Sequence, residues 1–159
     1  MSGYKAAALA SLVAGIAVVV SGFGCWVKLV GPGGLVTVEF NGSGNFTSRS
    51  TYVAQGVSAW DGWPVGWLTA LLGAVIVGAA ILHLMEFLEP EEAPKSIALP
   101  GFLVGLAAVA VMIDKKLPLG VPKGELTEST LSSGSALTYL LIAAAVTVAA
   151  GLAMSAMDE

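Results

Sequence analysis

Four stretches of this chain run without a single Asp, Glu, Lys or Arg, and they constrain it more than any motif does. They cover residues 6–27 (22 residues, between Lys5 and Lys28), 62–85 (24, between Asp61 and Glu86), 96–113 (18, between Lys95 and Asp114) and 129–157 (29, between Glu128 and Asp158). A bilayer core about 30 Å thick takes about 20 residues of helix. Lipid offers no partner to a backbone N–H or C=O, so an apolar run that crosses it must close its hydrogen bonds within itself, as a helix. The chain is therefore expected to be an all-α membrane protein, an antiparallel four-transmembrane-helix bundle forming one membrane domain over 1–159. The spans are expected at about 6–27, 63–86, 97–114 and 133–156, the third being the shortest.

Composition agrees. Of the 159 residues 56% are hydrophobic and 11% charged, with a mean hydropathy of +0.85. Soluble domains carry about 25% charged residues, so this chain lacks the charge to clothe a soluble surface. A net charge of −4 and a single arginine, Arg49, leave no basic stripe for phosphates and exclude nucleic acid as a partner. One cysteine, Cys25, excludes an internal disulfide and any CxxC motif. The first apolar run is longer than the roughly 7–15 residues of a signal peptide, so a retained helix is expected.

Local punctuation refines the boundaries. Asp61 reads as the N-cap of the second helix, with Pro64 in its first turn. Pro100 reads as the corresponding proline of the third helix, with Ser96 and Ile97 leading in and Pro118 and Pro122 beyond its end at Lys115 and Lys116. Ser132 to Ser135 form a polar lead into the fourth. In lipid, apolar helices associate where small residues let backbones approach. Candidate packing positions are Ser11 and Gly15 in the first helix and Ala70, Ala74 and Gly78 in the second. Gly101 and Gly105 serve the third, and Ala143, Thr147, Gly151 and Ser155 the fourth.

The first loop, 28–61, is the only one long enough to fold. Val36, Val38 and Phe40 alternate with Thr37 and Glu39, a period of two. Asn41-Gly42 follows, a strong turn signal, and the composition after it again suits a strand, so a β-hairpin is expected over about 34–54. The sequons starting at Asn41 and Asn45 are formal N-glycosylation matches of the kind short polar turns often produce. The second loop is short and acidic, the third polar and extended.

Trp60, Trp63 and Trp67 fall within eight positions, and Trp26 is expected at the same end of the bundle. Tryptophan gathers where membrane meets water. These four residues are the expected interfacial belt and the expected surface for a partner.

The spans hold none of the acids or bases that a proton relay or ion-coupled carrier needs near the midplane. His83 lies within a turn of the polar boundary, where an interfacial role is expected. His83 and Glu86 share one helix face at a spacing used by metal sites in bundles, and form the one candidate metal or haem pair. Cys25 has no basic neighbour in sequence nearer than Lys28, and no nucleophile–base set can be assembled within the spans. No enzyme activity and no cofactor are expected. The expected function is that of a non-enzymatic accessory, assembly or structural subunit of a larger membrane complex, with the lipid bilayer and other membrane proteins or a second copy as partners. The alternatives are a small oligomeric channel or carrier for a neutral or lipophilic substrate, and a cofactor-binding subunit using His83.

The order of parts, "SGFGCWVKLV", a strand-like loop, then "DGWPVGWLTALLGAVIVGAAIL", resembles small four-helix integral membrane proteins of actinobacteria. Trp26 matches the tryptophan that ends their first span, with Cys25 where proline is usual, and Asp61-Gly62 matches the step that opens their second. The resemblance covers about residues 12–82. The layout is also similar to claudin-type four-helix proteins, but their Gly-Leu-Trp and cysteine pair are absent from the first loop. The resemblance implies a fold and no catalytic residue. It also implies a first loop outside the plasma membrane and both termini in the cytoplasm. The charges point the other way: Lys5 and Lys95 on one side, Lys28, Arg49, Lys115, Lys116 and Lys123 on the other.

Overall fold

The computed structural model describes residues 2–48, 51–58, 60, 62–121 and 130–157. The expected cap Asp61, the cations Arg49 and Lys123, and Pro122, Glu128 and Asp158 lie outside the described residues. Among the described residues four helices are long and apolar enough to cross a membrane: α1 (Gly3–Ser21), α3 (Val65–Leu84), the continuous helical stretch Pro90–Ile113 that ends in α4 (Leu99–Ile113), and α5 (Ser135–Ala156). A short helix, α2 (Thr51–Val57), precedes α3. The strands are β1 (Cys25–Val30), β2 (Val36–Asn41), β3 (Phe46–Ser48) and β4 (Thr130–Ser133).

The long helices form a ring in the order α1, α3, α4, α5, each antiparallel to its neighbours. Small residues set the spacing where expected in three of them. A Cβ on Gly15 of α1 would lie 3.0 Å from side-chain atoms of Ile76 and Val77. One on Gly101 would meet Thr147 at 2.8 Å, and one on Gly151 would meet the Ala98 backbone at 2.8 Å. Gly105 faces Ala144, while Ala143 is buried beside α1.

The second helix departs from expectation. Ala70 is buried, but Ala74 and Gly78 face outward, and nothing lies within 4 Å of a Cβ added at Gly78. The packed face follows seven-residue steps instead: Gly66, Gly73 and Ala80 on one line, Thr69, Ile76 and His83 on the other. That is the 3.5-residue seam of left-handed helix packing, which a four-residue ladder drifts away from. The buried hydroxyls need no partner across the seam. Ser11, Thr69 and Thr147 donate to Ala7 O, Gly66 O and Ala143 O of their own helices.

Two helix boundaries are corrected. The first helix stops at Ser21, not at 27, because Gly22–Gly24 turn the chain and Cys25 to Val30 pair as a strand. Lack of charge cannot separate a lipid-crossing helix from an apolar strand packed over its end. The third span is not short: a π-helical turn over Pro94–Ala98, with Leu99 N–H reaching back to Pro94 O, extends it to Pro90 and 24 residues. Pro100 has no N–H to donate and its ring crowds the carbonyl four residues back, which a wider turn relieves.

All four strands join one antiparallel sheet in the order β3-β2-β1-β4. The expected hairpin is β2–β3, in register Phe40↔Phe46, but its second strand ends at Ser48 rather than near 54, since Thr51–Val57 form the helix α2. Its turn is a three-residue loop, Gly42 to Gly44, closed by Asn41 N–H to Asn45 O at 2.9 Å. The left-handed residue is Gly44 (φ 89°), not Gly42. The Asn41 side chain is consumed in that turn, accepting from Ser43 N–H, Ser43 Oγ–H and Asn45 N–H. The expected polar lead into the last helix is instead β4, paired to β1 from Val27↔Ser133 to Val30↔Thr130.

The sheet is two-faced. Thr47, Glu39, Lys28 and Ser132 form one polar row across all four strands, with Lys28 Nζ 3.9 Å from Glu39 Oε1. The neighbouring residues Val27, Leu29, Val38 and Phe40 are buried and join Val111, Leu137 and Leu140 in a core at this end of the bundle. A second, smaller core of Ala8, Ala80, Ile97 and Met154 closes the opposite end.

Candidate functional site

At the sheet end, α3 begins without a side-chain cap. Pro64 holds the cap position. The first free N–H groups are met by backbone: Val65 by Trp63 O, Trp67 by Pro64 O and, at 2.7 Å, Gly66 by Gly42 O of the hairpin turn. Gly42 N–H in turn donates to Gly22 O at the end of α1. The hairpin is thus stitched to the ends of two helices, and what it positions is aromatic.

The four tryptophans divide. Trp26 is 0% exposed, its Nε1–H donating to Ser21 O at 2.7 Å. It is a core residue of the cap, so it leaves the interfacial set. Trp60 is half-buried and stacks on Phe40, ring centroids 5.7 Å apart and planes 10° apart. Together with Phe46, Ser43, Ser58 and Pro118 it lines a cleft of 330 Å³ at the rim of the sheet. Trp63 and Trp67 are 76% and 58% exposed. Phe23, also exposed, meets Trp67 edge-on at 5.9 Å. Of the tryptophans expected at the boundary, Trp63 and Trp67 are thus the exposed ones, and Phe23, which sequence reasoning missed, stands with them. A lone phenylalanine after a glycine gives no signal until the end of α1 is known to lie beside α3.

No protein-family model matches this chain, and no characterised protein matches it in sequence.

The opposite end holds the buried polar chemistry. His83 is 0% exposed, so it does not snorkel to the boundary as an interfacial histidine would. Its Nδ1 lies 2.7 Å from Tyr4 Oη of α1, its Nε2 3.0 Å from Ser96 Oγ in the π-helical turn, and Ser96 Oγ–H donates to Glu92 O at 2.9 Å. With that last bond made, the serine's only hydrogen is used and Ser96 accepts from Nε2–H. The ring is then the neutral Nε2–H tautomer, and Nδ1 accepts from Tyr4 O–H. The chain of donors runs one way: Tyr4 to His83 to Ser96 to Glu92 O. It ties α1, α3 and the lead into α4 together.

His83 and Glu86 do not form a metal pair. Both imidazole nitrogens face hydroxyls, while Glu86 turns to Lys5, Oε1 to Nζ 2.9 Å. Among the described residues no three of His, Cys, Asp and Glu gather as a metal site would require. Glu86 ends α3 in left-handed backbone (φ 62°), with Glu86 N–H bonded to His83 O and Phe87 N–H to Leu82 O. This is a Schellman cap with glutamate where glycine is usual. The Lys5 ammonium, bonding and attracting it, holds the Glu86 carboxyl below its ordinary range. At the sheet end, burial and the nearby Glu39 carboxylate push the Cys25 thiol up, with Lys28 opposing.

Proposed function

We propose that this protein is a four-helix integral membrane subunit that works through contacts rather than catalysis, an accessory or structural part of a larger membrane complex. The observation that carries the reading is the uncovered patch of Phe23, Trp63 and Trp67 beside a sheet whose outer face is polar. Aliphatic side chains facing outward along the spans are what lipid requires. Aromatic rings at the membrane–water boundary can serve both lipid and a partner, and tryptophan is prominent among residues that dominate protein interfaces. The Gly22–Gly42–Gly66 stitching supports the same reading, since it holds the patch in one geometry without a partner.

Blue-native electrophoresis of gently solubilised membranes tests this. The parent is expected above its monomer, and Trp63→Ala with Trp67→Ala is expected at the monomer position. A parent that migrates only as a bare monomer overturns the reading. The same proposal puts the sheet outside the plasma membrane and both termini in the cytoplasm. Reporter fusions at the C-terminus check that side, and alkaline phosphatase activity there reverses it.

A further inference from the structure

The polar node at the end away from the sheet has no part in the docking proposal, yet it is the most fully specified chemistry in the molecule. Its central group, an imidazole, is the side chain whose ordinary pKa falls between pH 5 and 8. The Tyr4 hydroxyl lies within reach of His83 Nδ1 at 2.7 Å and of Leu88 O at 3.5 Å. It can donate to only one of them at a time.

We infer that Tyr4, His83 and Leu88 form a proton-operated hydrogen-bond switch. With His83 neutral, Tyr4 O–H points to Nδ1. When a proton from water adds to Nδ1, that nitrogen becomes a donor, and the Tyr4 hydroxyl must turn about its C–O bond to accept from it. The hydroxyl hydrogen then swings to Leu88 O. Nε2–H continues to donate to Ser96 throughout, so the three helical elements stay tied while the connection after α3 gains a bond. No bond to carbon changes and one proton is taken up.

Full burial of the ring weighs against a charge there, and the groups around it act the other way. The charged groups on the elements packed around His83 are Lys5 on α1, Glu86 at the end of α3, and Glu89, Glu91, Glu92 and Lys95 on the segment leading into α4. Lys5 is spoken for by Glu86. The described part of α5 carries no charged residue, meeting this end through Met154. Carboxylates outnumber ammonium groups four to two among those six, so a cationic imidazole is met by a net negative surrounding. Glu86, in strained left-handed backbone between His83 and Leu88, makes the receiving turn a segment already held away from its relaxed geometry.

The dipeptide Leu-Glu occurs once in the chain, at Leu88–Glu89. Labelling leucine carbonyl carbons with ¹³C and glutamate with ¹⁵N therefore isolates the Leu88 carbonyl as a single correlation in the full-length protein in nanodiscs. Selective ¹⁵N-histidine labelling reports His83 alone. Between pH 8 and 5, Nδ1 is expected to pass from unprotonated to protonated while Nε2 keeps its hydrogen, and the Leu88 carbonyl signal to move with the same midpoint. Tyr4→Phe, which keeps the ring and removes the hydroxyl, is expected to leave the Leu88 carbonyl still while His83 continues to titrate. Three results overturn the switch: a His83 that takes up no proton in this range, a Leu88 signal that stays fixed while Nδ1 titrates, or one that moves equally in Tyr4→Phe. The two parent titrations decide the matter even if the variant does not fold.

Discussion

Gly66 donates its backbone N–H to Gly42 O at 2.7 Å, and neither residue has room for a Cβ: one on Gly42 would lie 2.9 Å from the Gly66 α carbon, and one on Gly66 would strike the Gly42 carbonyl. The first turn of a membrane helix is thus capped by the tip of a hairpin, and the contact depends on two glycines at once.

Gly42→Ala and Gly66→Ala should each destabilise the protein by at least about 1–3 kcal/mol, the usual range for forcing a methyl group into filled space. Amide exchange should rise first in β2 and β3, because those strands lose their seat on the bundle. Gly78→Ala is the opposing case. It faces open space in mid-helix and should raise stability by about 0.5–1 kcal/mol. Equal effects at Gly42 and Gly78 in thermal unfolding would contradict the close-approach argument.

Removing either hydroxyl from the histidine node leaves a ring nitrogen without its partner, costing about 1–3 kcal/mol. Tyr4→Phe orphans Nδ1 and Ser96→Ala orphans Nε2–H. Tyr4→Phe combined with His83→Leu should cost less than the sum of the two singles, because no imidazole then remains to be orphaned. Additive losses in denaturant unfolding would mean the three groups are not one network.

Glu86 offers two opposed effects. Glu86→Gly relaxes the left-handed backbone but discards the Lys5 pair, so its melting temperature should equal or exceed the parent's. Glu86→Gln keeps the strain and loses the charge, so it should melt lower. The carboxyl is held below its unfolded value of about 4.3, so the pair's contribution is whole above that pH. It is lost as pH falls through the lower folded value, and both groups being exposed, the loss is small. A melting curve in which Glu86→Gln matches the parent at pH 7 would remove the ion pair from the account.

Cys25 should alkylate slowly at neutral pH. Its pH–rate profile with iodoacetamide should rise at higher pH than that of an unstructured thiol near 8.5, since burial and Glu39 disfavour the thiolate. Glu39→Gln should bring the profile part of the way down, leaving the share due to burial. A profile unchanged in Glu39→Gln would assign the whole effect to desolvation.

Charge spacing alone was enough to find four helices long and apolar enough to cross a membrane, and their antiparallel order, because the cost of an ion in lipid is felt by each residue where it stands. The Val36–Phe40 alternation and Asn41-Gly42 were enough to place the hairpin, for pleat and turn are also local. The surfaces inside the bundle were legible in α1, α4 and α5 but not in α3, whose true seam repeats every seven residues among many small side chains. Nothing in the sequence marked Cys25 to Val30 as strand rather than span, nor brought β4 across a hundred positions to pair with it. The same holds for Trp26: only with the sheet laid over the bundle does an apparent belt residue become the most enclosed ring in the cap. Tyr4 and His83 stand 79 positions apart, and the meaning of each appears only when helix packing brings them to 2.7 Å. Membrane insertion is dictated residue by residue along the chain. Caps, seams and buried hydrogen bonds belong to pairs, and pairs exist only once the tertiary structure has chosen them.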